Sequence, residues 1–143
     1  MATRVQVVID CDDPDRLAHF WAEALGYQLQ PPPEGFASWE DFLAEIGVPE
    51  DERDNASAIV DPEGIGPRVY FQRVPEPKTV KNRMHLDLNQ TTRDTLLEER
   101  RRLVGQAVER LKGLGAAELY RMDRNGEYHI TMSDPEGNEF CVQ

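Results

Sequence analysis

Cysteine occurs only twice in the chain, at Cys11 and Cys141, and the sequence contains no Cys-x-x-Cys pair. A disulfide-stapled scaffold and a paired-thiolate zinc knot are therefore excluded. Two reduced, buried thiols are the expectation, with a Cys11–Cys141 bridge as the alternative. Basic residues are also scarce: 16 Lys and Arg stand against 27 Asp and Glu, a net charge of −11. Binding nucleic acid or an anionic membrane needs a cationic face that displaces counterions, so neither is an expected partner, whereas a small-molecule ligand is. Long apolar runs are missing, as is a charged-then-apolar leader, so neither membrane insertion nor export is indicated and the cytoplasm is the expected location. No glycine-rich phosphate loop is present.

What remains is an ordinary globular composition, with 39% hydrophobic residues in 143. That length suits one compact domain, or two half-size modules sharing a core, since smaller units rarely bury enough apolar surface alone. Residues 4–10, "RVQVVID", read as a strand. A helix follows in "DDPDRLAHFWAEALGY", where Asp13 is placed to cap it, Pro14 sits in its first turn, Leu17, Trp21, Ala24 and Leu25 recur at helical spacing, and Gly26 ends it. The triple proline at 31–33 opens a segment, about 31–57, that reads as a helical insertion. Within it Ser38 is a cap with Asp41 as its capping-box partner, and Trp39, Phe42, Leu43 and Ile46 form an apolar stripe.

"SAIVDPEG" and "RVYFQRV" then read as antiparallel strands around a Pro/Gly-rich connection. Residues 75–83 form a linker whose Lys78, Lys81 and Arg83 are a local basic spot, able to meet a carboxylate or phosphate or simply to stay solvated. "MHLDLN" reads as a strand. A long helix follows, with Thr92 as its candidate cap and Leu97, Val104, Ala107, Val108 and Leu111 on one face. Three short strands close the chain.

Asp-Pro-Glu-Gly appears twice, at 61–64 and 134–137. Each copy is expected to make a turn, with Asp accepting backbone hydrogen bonds, Pro fixing its dihedral and Gly adopting a positive one. Around them the halves correspond further: Gln6 precedes Asp13 by seven residues as His85 precedes Thr92, and Phe71-Gln72 matches Phe140-Cys141. The first turn is longer by "IGPR". The chain therefore reads as a duplicated β-α-β-β-β unit: module 1 about 1–74, a linker 75–83 and module 2 about 84–143. Neither half can bury its helix and sheet alone.

With "VQVVIDCDDPDRLAHFWAEALGY" at one end and "DPEGNEFCV" at the other, the chain resembles the vicinal oxygen chelate superfamily, in its glyoxalase-like, bleomycin-resistance-like branch. The resemblance covers nearly the whole chain except the insertion. It implies an α+β fold of two tandem modules forming a curved eight-stranded mixed sheet around a cleft, and a homodimer. It also implies one of two functions: a divalent-metal-dependent lyase, isomerase or dioxygenase acting on vicinal oxygens, or a metal-free protein that sequesters a drug or metabolite. Fold alone does not choose between them.

In metal-bearing relatives the ligands come from the first and last strand of each half, which here are the positions of Gln6, Gln72, His85 and Cys141. His85 is the strong generic ligand and Gln6 fits the pattern, while Gln72 and Cys141 stand where a carboxylate or His is usual. Glu139, two residues before Cys141, shares its strand face and is a candidate carboxylate for catalysis or ligation; the alternative is a surface strand Glu. Asp87 shares a face with His85, where it can orient the imidazole or meet the ligand. His129 is a candidate acid or base, or a hydrogen-bonded structural His. For a metal-free binder, the expected ligand is a small aromatic or cationic molecule, attracted by the acidic charge, with Trp39, Phe42 and Tyr70 the candidate ligand-stacking rings.

Overall fold

The computed structural model describes residues 1–143 as two compact units, Met1–Pro77 and Lys78–Gln143. Each unit carries one four-stranded mixed sheet, so the eight strands divide four and four. No helix is long and apolar enough to cross a membrane.

In the first unit β1 (Val7–Cys11) leads into α1 (Pro14–Leu25), followed by β2 (Gln28–Leu29), α2 (Trp39–Glu45), β3 (Ala56–Val60) and β4 (Val69–Arg73). The start of α1 is set locally: the Asp13 carboxylate accepts the Arg16 N–H at 3.1 Å, satisfying an amide with no partner inside the helix. Its end is equally local, since Gly26 takes the left-handed conformation at φ 70° and its N–H closes onto the Ala22 carbonyl. Between those caps Leu17, Ala18, Phe20 and Trp21 are buried, with the last two rings packed edge to face 5.3 Å apart. At roughly 1.5–3 kcal/mol for each large apolar side chain removed from water, this face holds α1 on the sheet.

The sheet runs β1-β4-β3-β2, with β1 parallel to β4 and the remaining pairs antiparallel. Period-2 alternation gives β4 two faces: Val69 and Phe71 are buried, while Tyr70 and Gln72 point to the opposite side. Ser38 caps α2 as expected, accepting the Asp41 N–H at 3.1 Å. The apolar stripe of α2 does not reach the core, however: no residue of this helix is buried, and Ile46 is 57% exposed. Seven residues offer only a narrow face, and Trp39 and Leu43 use it to line an open cavity on the sheet face opposite α1.

In the second unit β5 (Asp87–Leu88), α3 (Leu97–Gly113), β6 (Ala117–Arg124), β7 (Glu127–Ser133) and β8 (Glu139–Val142) repeat the pattern, with sheet order β5-β8-β7-β6. The strand expected at "MHLDLN" is reduced to Asp87–Leu88, although Leu86 and Leu88 carbonyls still accept from Cys141 and Gln143. Thr92 does not cap α3. It forms a local turn with Thr95, whose hydroxyl accepts the Thr92 N–H at 3.0 Å, and the helix begins five residues later behind Leu96 with no side-chain cap. Thr–backbone bonding of this kind competes with helix initiation. Val104, Ala107, Val108 and Leu111 are buried as their spacing requires, and Leu97 is only partly covered. At the β6–β7 hairpin Asn125 (φ 55°) and Gly126 (φ 78°) both adopt left-handed backbone, the requirement of a two-residue turn that matches strand twist.

Both Asp-Pro-Glu-Gly segments do the work their chemistry suggests. Asp61 accepts from the amides of Glu63, Ile65 and Gly66, and Asp134 from those of Glu136 and Asn138. Gly64 and Gly137 hold positive φ. The amides of Gly66 and Glu63 keep the Asp61 carboxyl below the ordinary aspartate range. Strand register refines the internal repeat. Gln72 pairs with Asp10 and Cys141 with Asp87, so Asp10 and Asp87, 77 residues apart, are the equivalent pair rather than positions 79 apart. His85 therefore matches Val8, not Gln6. The two-residue shift preserves which face each side chain occupies.

The longer first turn imposes one tight approach: a Cβ on Gly66 would lie 1.9 Å from the Tyr27 hydroxyl oxygen. Gly66→Ala is expected to cost about 1–3 kcal/mol by displacing that ring, and adding Tyr27→Phe to recover part of the loss. Denaturant midpoints of the single and double variants check this; an unchanged midpoint for Gly66→Ala would refute the steric account.

Candidate functional site

Parallel pairing of β5 with β8 brings distant residues to one place on the second sheet. Asp87 stands opposite Cys141, and His85 lies two residues before Asp87, on the same face. His85 Nε2 is 3.4 Å from Asp87 Oδ1, and one ligating atom from each of His85, Asp87 and Cys141 lies within 4.8 Å of the others. Both His85 and Asp87 side chains are 44% exposed, and Cys141 is partly buried with its thiol free of any disulfide. Thr131, on β7 directly across from Cys141, closes the other flank with its hydroxyl 3.4 Å from Sγ.

The geometry fits a divalent ion. Bonds of about 2.0–2.3 Å from nitrogen, oxygen and sulfur place tetrahedral ligand atoms roughly 3.4–3.6 Å apart, a spacing His85 and Asp87 already meet at 3.4 Å, with Cys141 within 4.8 Å of both. An imidazole, a carboxylate and a thiolate form a borderline-to-soft set, better suited to zinc, iron(II) or nickel than to magnesium.

Glu139 shares this face of β8, but its carboxylate is engaged. It accepts the Asn82 N–H at 3.0 Å and pairs with Lys78 at 3.2 Å, anchoring residues 78–82. The Asn82 amide, with help from Lys78, holds its carboxyl below the usual glutamate range, which makes it a weak base. It also accounts for one cation of the basic linker spot. His129 sits half-buried on β7, two residues from Thr131 and so on the same face as the three donors.

The remaining candidates belong to the first unit. That unit contains an open cavity of about 1180 Å³, floored by Ala56, Ala58, Tyr70 and Gln72 and walled by Trp39 and Leu43 of the insertion. Phe42 is not on its lining; its ring packs edge-on between Phe36 and Trp39 at 5.2 and 5.8 Å. Gln6 does not stand open, because its amide oxygen accepts from Arg68 Nη1 at 2.9 Å. Arg68 is the lining residue that sequence reasoning missed, and the signal available was the extra "IGPR", which ends on it.

Among solved structures, a hypothetical protein from S. aureus is 19% identical with a TM-score of 0.59, covering 99% of this chain and 96% of that one. A glyoxalase/bleomycin resistance protein/dioxygenase family enzyme from Burkholderia phytofirmans is 15% identical, TM-score 0.61, over 96% and 94%. The fosfomycin resistance protein FosX from Listeria monocytogenes, complexed with Mn(II) and 1S,2S-dihydroxypropylphosphonic acid, is 11% identical, TM-score 0.62, over 100% and 90%. These likenesses establish the two-module α+β fold. No curated protein matches the sequence. The sequence profile of the glyoxalase-like domain matches residues 6–143, nearly the entire chain, and the protein therefore belongs to the glyoxalase-like domain family.

Proposed function

We propose that this protein is a small-molecule-binding member of its family that works as a divalent-metal-dependent enzyme, of the lyase, isomerase or dioxygenase type, on a substrate with neighbouring oxygens. The observation that carries this reading is the convergence of His85, Asp87 and Cys141 donor atoms within 4.8 Å on an accessible sheet face. A ligand set from three side chains leaves coordination positions open, as catalytic sites require. A divalent ion held there would supply Lewis-acid polarisation of substrate oxygens. His85, just before β5, and Cys141, on the neighbouring β8, are the anchoring donors, and Asp87 adds the negative charge that favours a cation. His129, roughly 7 Å along β7 from the level of Cys141, is the residue placed to take or return a proton. Glu139 serves to position the 78–82 segment rather than to act as base.

A second reading has its own support in the first-unit cavity, which has two aromatic rings, Trp39 and Tyr70, and three arginines on its lining and needs no metal to bind a ligand. On that reading the protein sequesters its ligand without changing it.

The two are separated by melting protein purified without a chelating tag in the presence of zinc, nickel, iron(II) or manganese. The metal reading predicts saturable stabilisation by at least one of them, about 2.7 kcal/mol when the ion is a hundredfold above its Kd. Absence of stabilisation by any of the four removes the enzymatic reading and leaves the sequestering one.

A further inference from the structure

Three arginines line the first-unit cavity, and two are neutralised: Arg53 pairs with Glu40, and Arg73 with Asp54 at 3.1 Å. Arg68 is held differently. Its Nε donates to the Gln30 side-chain oxygen at 2.7 Å, its Nη1 to the Gln6 side-chain oxygen at 2.9 Å, and its guanidinium lies over the Tyr70 ring, 5.3 Å from the centroid. Those partners are amides and a ring face, which orient the planar fork without cancelling its charge. The same Gln30 accepts the Trp39 indole N–H on its backbone carbonyl at 2.7 Å. One residue thus fixes both a cation and an aromatic ring on the lining of the same cavity. The lining also includes the small apolar side chains of Ala56 and Ala58.

We infer that this cavity is a binding site for aromatic carboxylates, with Arg68 as the anion anchor and Trp39 as the aromatic wall. A guanidinium fixed by neutral acceptors retains its attraction for a planar carboxylate, whereas one already paired does not. The chain as a whole is acidic, but exposed like charges more than about 8–10 Å away are largely screened at physiological salt, so the contact charge decides. Six acidic residues also line the cavity: Asp12, Asp13, Asp15, Glu40, Glu52 and Asp54. Glu40 and Asp54 are engaged by Arg53 and Arg73, and Asp12, Asp13 and Asp54 lie beyond the other end of β4, where Cys11 pairs with Arg73, five residues and roughly 16 Å along the strand from Arg68. The inference rests on the reading of this protein as a small-molecule binder and is independent of the metal.

The test is calorimetric titration of the full chain, stripped with a chelator and dialysed so that the second-unit donors do not contribute. The probes are benzoate and phenylacetate, with benzamide, phenylacetamide and acetate as controls. The expected result is saturable binding of the aromatic carboxylates, at least about tenfold tighter than their amides or acetate. Arg68→Gln should erase the carboxylate-over-amide preference, and Arg68→Lys, which keeps the charge, should retain part of it. Circular dichroism reports whether each variant folds. If Arg68→Gln does not fold, the wild-type preference and its weakening with added salt still decide. Equal affinity for carboxylate and amide, no binding of either aromatic acid, or an unchanged preference in folded Arg68→Gln would overturn the inference. Failure here together with retained metal stabilisation would leave the enzymatic reading intact.

Discussion

His85→Ala is expected to abolish metal-dependent stabilisation while leaving the melting temperature of the metal-free protein within about 1–2 °C of wild type. His85 precedes β5, is 44% exposed, and contacts Asp87 only through an exposed pair, which contributes little to folding. Removing it costs the site its one neutral nitrogen donor. At saturating zinc or nickel the wild type gains about 2.7 kcal/mol for a hundredfold excess over Kd, which corresponds to roughly 10 °C in a chain of this size. The variant should gain none of it. Thermal melts with and without metal measure both halves of the statement, and a variant that kept the full metal shift would show that the ion is held elsewhere.

Phe71→Ala and Phe140→Ala are expected to destabilise the fold by about 3–5 kcal/mol each. The two rings occupy matching places after the two Asp-Pro-Glu-Gly turns, and are 0% and 1% exposed. Each lies on the helix-facing side of its sheet, so truncation opens a cavity bounded by strand and helix backbone that cannot collapse freely. Against a typical total of 5–15 kcal/mol, either loss leaves a marginal protein with its melting temperature lowered by roughly 10 °C or more. Gln72→Ala, one residue from Phe71 but on the exposed side, should stay within about 0.5 kcal/mol of wild type. Denaturant titration of the three variants tests the face assignment; comparable losses at Phe71 and Gln72 would contradict it.

How far the sequence revealed this arrangement depended on the range of the interaction involved. Asp13, Gly26 and the two Asp-Pro-Glu-Gly turns were legible because each bonds to amides or carbonyls within five residues. The alternation that buries Phe71 and Phe140 and turns Gln72 and Cys141 the other way follows from strand geometry alone. Thr92 misled because two short-range solutions compete, and bonding to Thr95 won over capping α3. The shared face of His85 and Asp87 could be read from parity. That Cys141 belongs with His85 came from the family resemblance and not from local pattern, since it depends on a parallel register between strands far apart in the chain. Arg68 was missed for the same reason: Gln30 and Gln6, which make it an anchor rather than a solvated charge, are 38 and 62 residues away.

The proposal that His85, Asp87 and Cys141 together hold one divalent ion is tested most directly with cobalt(II) as the probe metal. A thiolate bound to cobalt gives a charge-transfer band that imidazole and carboxylate do not. The account predicts this band in wild-type protein at one cobalt per chain, its disappearance in Cys141→Ser, and its persistence in Cys11→Ser, since Cys11 is buried in the first unit. A wild-type spectrum with no thiolate band, or a band that survives Cys141→Ser, would contradict it.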